Sequence, residues 1–275
     1  MRDRGGYRHS AYLDGQGPLR RPASTIKLLL IANITVFVVQ ILVWATARVH
    51  LGFALGLRAS LVVEKLWVWQ VFTYMFLHDP AWIWHIVFNM YVLYAFGTQV
   101  EALLGRRRFL TLYFGGGVAG GLAFCVMQYV FGERGIAMGA SAAVIAVLIW
   151  YAIRYPNQTI LLFFILPIRL KWAAALIIGI DVLGAIGAYG GDVAHAAHLG
   201  GALFAWLYWR YGGSVERYFD ALPARQARKQ QKRRSRDDDR LDEILAKITR
   251  EGFDGLSARE RKFLTDQSKR RNARR

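Results

Sequence analysis

Apolar residues along this chain are gathered into six long runs, and polar stretches separate the runs. A helix needs about 20 mostly apolar residues to span a bilayer, and roughly 17 to 25 are tolerated. Each run meets or nearly meets that length, the fourth when residues 136–138 are counted with it. The pattern therefore predicts six transmembrane helices, at residues 26–46, 82–100, 109–131, 139–153, 172–189 and 194–211.

A further apolar stretch at residues 160–170 differs from these six. It contains Pro167, and Arg169 and Lys171 follow closely. Proline lacks a backbone donor and breaks the interior of a helix. We therefore expect a hairpin or an interfacial segment that leads into the fifth predicted helix.

The polarity changes divide the chain into four segments. A cytoplasmic N-terminal segment at 1–24 precedes a membrane domain at 25–213. A basic linker follows at 214–239, and its run of like charges predicts a solvated, disordered stretch. A cytoplasmic helix-loop-helix tail is expected at 240–275. The fold class is thus an all-α polytopic membrane protein with a small helical tail.

The tail carries its own helix signals. Apolar residues recur at helical spacing up to Ile248, and Gly252 ends that helix. Ser257 and Glu260 form an S-x-x-E capping box that starts a second helix. This pair of helices either docks a cytoplasmic partner or the membrane, or is a marginal helical pair without a ligand.

The basic residues orient the membrane domain. The chain has 36 Lys and Arg against 19 Asp and Glu, and most of the basic residues fall in segments on one side of the predicted spans. Cytoplasmic loops are enriched in Lys and Arg, which predicts that both termini are cytoplasmic. The same residues border spans instead of forming one exposed face, so we expect no nucleic-acid partner. Without an obvious transit segment, the bacterial cytoplasmic membrane is the expected location.

Few strongly polar side chains interrupt the spans. Such groups are costly in hydrocarbon, and each is a candidate functional residue. Three predicted helices with the same direction carry theirs near the start, within roughly 10 Å of the outer surface at 1.5 Å of rise per residue. The candidates are His85, Asn89, Ser141, Asp181, His195 and His198.

These residue types suit acyl-transfer chemistry. A serine beside a histidine supplies a nucleophile and a general base. His85 and Asn89 are four residues apart, hence on one helix face, and could donate to a developing oxyanion. The set lacks only an acid that would orient the base.

Other interpretations stay open at this point. His85 and Asn89 could simply bond across helices. His85, His195 and His198 could bind zinc, but the HExxH pattern is absent, so no metal is expected. Asp181 could belong to an aspartyl pair, but no GxGD pattern accompanies it, and a bond to a helix neighbour is the better interpretation.

Four stretches, in order, resemble the motifs of the rhomboid intramembrane serine proteases. The family's H-x-x-x-N motif is similar to HIVFNM at 85–90, its G-x-S-x motif to GASA at 139–142, and its A-H-x-G-G motif to AHLGG at 197–201. EALLGRRRF at 101–109 resembles the family's E-x-x-x-G-x-x-x-F turn. The resemblance covers residues 25–213 and implies a six-helix rhomboid-like bundle.

The resemblance implies roles for individual residues. Ser141 would be the nucleophile and His198 the general base, in a dyad without a third acid. The oxyanion hole would consist of His85, Asn89 and the Ser141 backbone N–H. His195 matches no catalytic position. Close packing near the site is implied for the small residues Gly139, Gly200 and Gly201.

The implied reaction is cleavage of a transmembrane protein substrate inside the bilayer. The substrate would enter between the second and fifth helices and be cut near the extracytoplasmic face, without a cofactor. Two features depart from the family pattern: Gln70 stands where many members carry an arginine, and His78 lies outside the expected site. The alternatives are a non-catalytic rhomboid-like protein that binds transmembrane segments, and a transporter.

Overall fold

The structure is a computed structural model that describes residues 24–132, 135–162, 165–186 and 194–272. The described residues are overwhelmingly helical, as predicted for an all-α fold, and they include one short hairpin. Two compact units divide the chain, Met1–Arg210 and Tyr211–Arg275. The helices are α1 Ser24–Ala47, α2 Leu51–Leu55, α3 Ala59–Lys65, α4 Gln70–Thr73, α5 Ile83–Leu104, α6 Arg106–Phe131, α7 Ser141–Arg154, α8 Leu170–Ala185, α9 Ala194–Glu251 and α10 Ala258–Asn272.

The longest apolar helices identify a membrane protein. Three segments of the described chain are long and apolar enough to cross a bilayer: Thr25–Ala47, Ile83–Leu104 and Arg106–Phe131. Many of their large apolar side chains face outward, such as Ile31 on α1 and Val126 on α6. Such faces suit a lipid environment, in which an apolar exterior carries no penalty. The total of six spans stays a prediction.

Helix α7 begins later than the apolar run suggested. It has 14 residues and starts at Ser141, so residues 136–140 do not lengthen it. Ala137 instead forms an antiparallel bridge with Leu57, and the Gly139 N–H donates to the Tyr74 carbonyl oxygen at 3.0 Å. Gly139 has φ +134°, a conformation that favours glycine. The extended segment therefore ends abruptly and places Ser141 at the tip of α7.

The loop before α5 is held by side-chain hydrogen bonds. Gln70 is fully buried, and its amide donates to the Phe53 carbonyl oxygen at 3.2 Å and accepts from the Arg58 N–H at 3.2 Å. Trp69 donates from its indole N–H to the Ala54 carbonyl oxygen at 3.0 Å. A neutral amide thus anchors this loop at the position where an arginine was the family expectation.

Small residues bring α6, α7 and α9 into backbone contact. A Cβ added at Gly116 would lie 2.3 Å from the Ala146 Cβ, and one added at Gly120 would lie 2.5 Å from both the Ala142 Cβ and the Ala197 carbonyl oxygen. Helices approach this closely only where side chains are minimal. The packing role predicted for the glycine-rich run of α6 is confirmed, and the contacts fix α7 beside the start of α9.

The segment after α7 is a β-hairpin, as one of the two predicted forms. Strand β1, Thr159–Leu162, pairs antiparallel with β2, Leu166–Arg169. Pro167 lies opposite Leu161 in this short ribbon, where a missing donor is tolerated. Helix α8 follows at once.

The Tyr211–Arg275 unit differs from prediction in its first half. The segment 214–239 was expected to be a disordered linker, but α9 remains helical as far as Glu251. Ala, Arg, Lys and Gln dominate residues 224–236, and these are strong helix formers, so intrinsic propensity opposes the repulsion between like charges. The second half agrees with prediction. Gly252, with φ +77°, follows the helix, and α10 begins after the capping box.

The capping box is confirmed by reciprocal hydrogen bonds. The Ser257 N–H donates to Glu260 Oε2 at 2.7 Å, and the Glu260 N–H donates to Ser257 Oγ at 3.3 Å. Lys247 Nζ lies 3.2 Å from the same Glu260 oxygen. One carboxylate therefore starts α10 and links it to the end of α9.

This carboxylate should give the tail a measurable acid response. Hydrogen bonds from the Ser257 hydroxyl and N–H, and then from Lys247, lower the pKa of Glu260 to about 2. Because the folded pKa is depressed, the stabilisation is complete above the ordinary value near 4.5 and is lost as the pH falls towards 2. We expect the Ser257 amide resonance to titrate near pH 2 in the full chain. The Glu260→Gln variant should show no such step, and a midpoint near 4.5 would contradict the hydrogen bonds.

Candidate active site

Ser141 occupies the N-terminal tip of a buried helix. It is the first residue of α7, and the following residues, Ala142 to Val144, are buried. The first four amide groups of a helix have no carbonyl partner within it, and the helix dipole adds positive potential there. A negative charge that develops beside Ser141 would therefore meet backbone donors.

His198 bonds directly to this serine. Its Nε2 lies 2.8 Å from Ser141 Oγ, although 57 residues separate the two along the chain. His198 is the fifth residue of α9, so both groups lie at the start of their helices. The structure thus brings together the serine and histidine that the sequence analysis paired.

A carboxyl group stands behind the histidine. Asp181 Oδ1 lies 2.9 Å from His198 Nδ1 and 2.8 Å from His195 Nδ1. Asp181 is buried in α8, and it binds no neighbour of its own helix through these contacts. The expectation of a serine and histidine without a third acid is therefore corrected, and so is the omission of His195 from the site. The signal available in the sequence was a lone aspartate within an apolar helix.

His85 approaches Ser141 across Gly139. The position that a Gly139 Cβ would occupy is 2.7 Å from His85 Nε2 and 3.7 Å from Ser141 Oγ. Any larger residue at 139 would collide with the imidazole, because ring atoms already fill that space. Gly139 thus has the close-approach role that was predicted, and His85 lies where it can donate towards the serine.

Asn89 lies one turn further along α5 and is buried. Its Nδ2 donates to the His85 carbonyl oxygen at 2.9 Å. A side-chain amide has two donor hydrogens, and this bond uses one of them. Asn89 thus lies on the His85 side of α5, and its role in an oxyanion hole stays a prediction.

The paired glycines of α9 press against two other helices. A Cβ at Gly201 would lie 2.2 Å from the Ala142 carbonyl oxygen, and one at Gly200 would lie 2.6 Å from the Ala123 Cβ. Gly201 therefore contacts the residue next to Ser141, and Gly200 contacts α6. Both packing predictions agree with these contacts.

His78 lies nearer the site than predicted. Its ring is fully buried and packs edge-on against His85, with 5.1 Å between centroids. Gln40 of α1 holds the His78 backbone by accepting from its N–H at 3.0 Å and donating to its carbonyl oxygen at 3.1 Å. The sequence analysis left His78 outside the site because its spacing to His85 did not match the family motif.

Asp181, His195 and His198 also form a set that could hold a metal ion, since their ligand atoms lie within 4.8 Å of one another. Two ligands of one tetrahedral zinc, each about 2.0 Å from the metal, lie about 3.4 Å apart. The separations of 2.8 and 2.9 Å between Asp181 Oδ1 and the two Nδ1 atoms are shorter and fit hydrogen bonds. The geometry therefore favours hydrogen bonding over shared coordination.

Together these features define an all-α membrane protein whose serine, imidazole and carboxyl groups meet at the N-terminal ends of buried helices. Residues 65–214 match the family model described as the Rhomboid domain. This match covers more than half of the chain, and the chain belongs to the rhomboid family.

Individual relatives agree with this assignment. The chain is 35% identical over 130 residues to presenilin-associated rhomboid-like protein A, mitochondrial, of Danio rerio, covering 46% of this chain and 34% of that protein. It is 33% identical over 132 residues to the Homo sapiens presenilin-associated rhomboid-like protein, mitochondrial, covering 47% and 35%. Rhomboid protein 1, mitochondrial, of Saccharomyces cerevisiae is 32% identical over 138 residues, covering 49% and 40%. The match thus spans between a third and two fifths of these relatives' own length.

Proposed function

We propose that this chain is an intramembrane serine endopeptidase that cleaves transmembrane helices near the extracytoplasmic face. The observation that carries the proposal is the 2.8 Å contact between Ser141 Oγ and His198 Nε2 at the ends of two buried helices. Membership of the rhomboid family supports it. Its required partners are the lipid bilayer and a transmembrane protein substrate.

Ser141 is the proposed nucleophile and His198 the proposed general base. The imidazole takes the hydroxyl proton as Oγ attacks the scissile carbonyl carbon, and it later returns that proton to the leaving amine. Water then attacks the acyl-enzyme with the same base. No metal or other cofactor enters this scheme.

The oxyanion of the tetrahedral intermediate needs preorganised donors. The Ser141 N–H at the tip of α7 is one, and the His85 imidazole beside Gly139 is the second. The remaining Asn89 hydrogen is the third proposed donor. Removing a single donor of this kind costs about 10²- to 10³-fold in kcat.

The membrane placement is proposed at the same level. The basic residues favour a topology with both termini on the cytoplasmic side, and the site then lies towards the opposite face. The relatives are mitochondrial proteins by name. A bacterial cytoplasmic membrane for this chain stays a prediction of the sequence, and so does a cytoplasmic partner for its tail.

The test is cleavage and active-site labelling by the purified full chain in liposomes. The substrate is a single-span protein with small, helix-breaking residues in the outer third of its span. We expect a discrete cut within the span, fluorophosphonate attachment at the Ser141 peptide, and full activity in EDTA. Neither cleavage nor labelling would reject the protease, and retention of the intact substrate would then indicate the non-catalytic binder.

A further inference from the structure

Asp181 has a geometry that goes beyond a serine and histidine pair. Its Oδ1 accepts from the Nδ1 atoms of His195 and His198 at 2.8 and 2.9 Å. An ionised carboxylate has no hydrogen to donate, so both Nδ1 atoms must carry one. A neutral His198 with its proton on Nδ1 has a free lone pair on Nε2. That nitrogen is the one in contact with Ser141 Oγ.

We propose that Asp181 is a positioning residue, which holds His198 in the tautomer and orientation that accept the Ser141 proton. The inference rests on the proposed protease function and adds a third group to it. As Oγ attacks, His198 becomes an imidazolium, and the carboxylate stabilises that cation without taking its proton.

Burial makes this interaction effective. The side chain of Asp181 is 5% exposed, and α8 surrounds it with apolar residues such as Ile180 and Val182. The attraction between the carboxylate and a developing imidazolium is screened far less in such surroundings than in water. A buried carboxylate without partners would be costly, and the two histidines supply the required donors.

His195 completes the arrangement from the other side. A Cβ added at Gly184 would lie 2.1 Å from His195 Cδ2, so the ring fills a space that only glycine leaves open. Gly184 lies three residues after Asp181 in α8, and His195 lies three residues before His198 in α9. Two helices are thereby matched so that one oxygen meets two rings. His195 thus anchors Asp181 and does not itself contact Ser141.

The test compares Asp181→Asn, Asp181→Ala and His195→Phe in the full chain, with kcat, KM and thermal unfolding measured. Asparagine keeps an acceptor and nearly the same shape but loses the charge. We expect kcat to fall at least about 10-fold for Asp181→Asn and about 100-fold for Asp181→Ala, with KM unchanged. His195→Phe keeps a ring beside Gly184 and should cost less than about 10-fold.

These variants separate positioning from mere structure. A structural role would be satisfied by asparagine, so wild-type kcat in Asp181→Asn would overturn the proposal whether or not Asp181→Ala folds. A loss for His195→Phe as large as that for Asp181→Ala would also overturn it, because the loss would then belong to the whole cluster.

A readout independent of turnover keeps this inference distinct from the proposed function. In the Ser141→Ala protein, nitrogen-15 resonances of the His198 ring should show a protonated Nδ1 and a free Nε2, and Asp181→Ala should remove that preference. An Nε2–H tautomer in the parent would overturn the proposal. Absence of cleavage and labelling in the wild type would reject the protease function alone.

Discussion

The Ser141→Ala variant is expected to lose cleavage of a transmembrane substrate by about 10⁴-fold or more, down to the background rate. Alanine removes the oxygen that attacks the carbonyl, and no other group of the site replaces it. The backbone tip of α7 and its contacts with α6 and α9 stay unchanged, because the hydroxyl takes no part in that packing. The measurement is the initial cleavage rate in liposomes, together with the thermal unfolding midpoint.

The companion change, His198→Ala, should give a loss of similar size. Because the two residues act as one unit, the double variant should be no slower than either single variant. Ser60 lies exposed on α3, so Ser60→Ala is the matched control and should retain full activity. Appreciable cleavage by purified Ser141→Ala, or additive losses in the double variant, would contradict the proposed nucleophile and base.

The positions of the long helices follow from the apolar runs. Predicted spans at 26–46 and 82–100 correspond to α1 at Ser24–Ala47 and α5 at Ile83–Leu104. Hydropathy is sufficient here because a spanning helix needs a continuous apolar length. The start of α7 was misplaced for the same reason. Residues 136–138 are apolar enough for a helix but pair with the loop that contains Leu57, and hydropathy carries no information about that partner.

The site was predictable where it depends on depth and not where it depends on distance between helices. Ser141, His198 and His85 were grouped because each lies near the start of a helix with the same direction. Asp181 lies on α8, and nothing in its local sequence specifies that its carboxyl oxygen meets rings on α9. The expected bond to its own helix was a local solution, whereas the observed one requires the tertiary approach of two helices.

The tail shows the opposite balance between local and distant signals. Its capping box was predicted from four residues and is present, because Ser257 and Glu260 satisfy each other's backbone N–H groups without help from other segments. The basic run was misjudged because net charge was weighed above helix propensity.

The second large effect is expected from Gly201→Ala, a change of one methyl group far from any ionisable atom. The new Cβ would lie 2.2 Å from the Ala142 carbonyl oxygen and 3.0 Å from its carbonyl carbon. Both are backbone atoms and cannot rotate away, so α9 must move from α7 by about 1 Å. Overpacking of this kind costs about 1–3 kcal/mol of stability. A displacement of about 1 Å between catalytic groups can cost about 10²-fold in rate.

The distance at risk is the 2.8 Å between Ser141 Oγ and His198 Nε2, because Ala142 and Gly201 are close neighbours of those two residues. Gly179→Ala is the matched control, since a Cβ there would meet nothing within 4 Å. That change should leave activity intact and raise stability slightly, by about 0.5–1 kcal/mol, because alanine favours the helix. If Gly201→Ala instead matched Gly179→Ala in cleavage rate and unfolding midpoint, the contact between α7 and α9 would not set the geometry of the site.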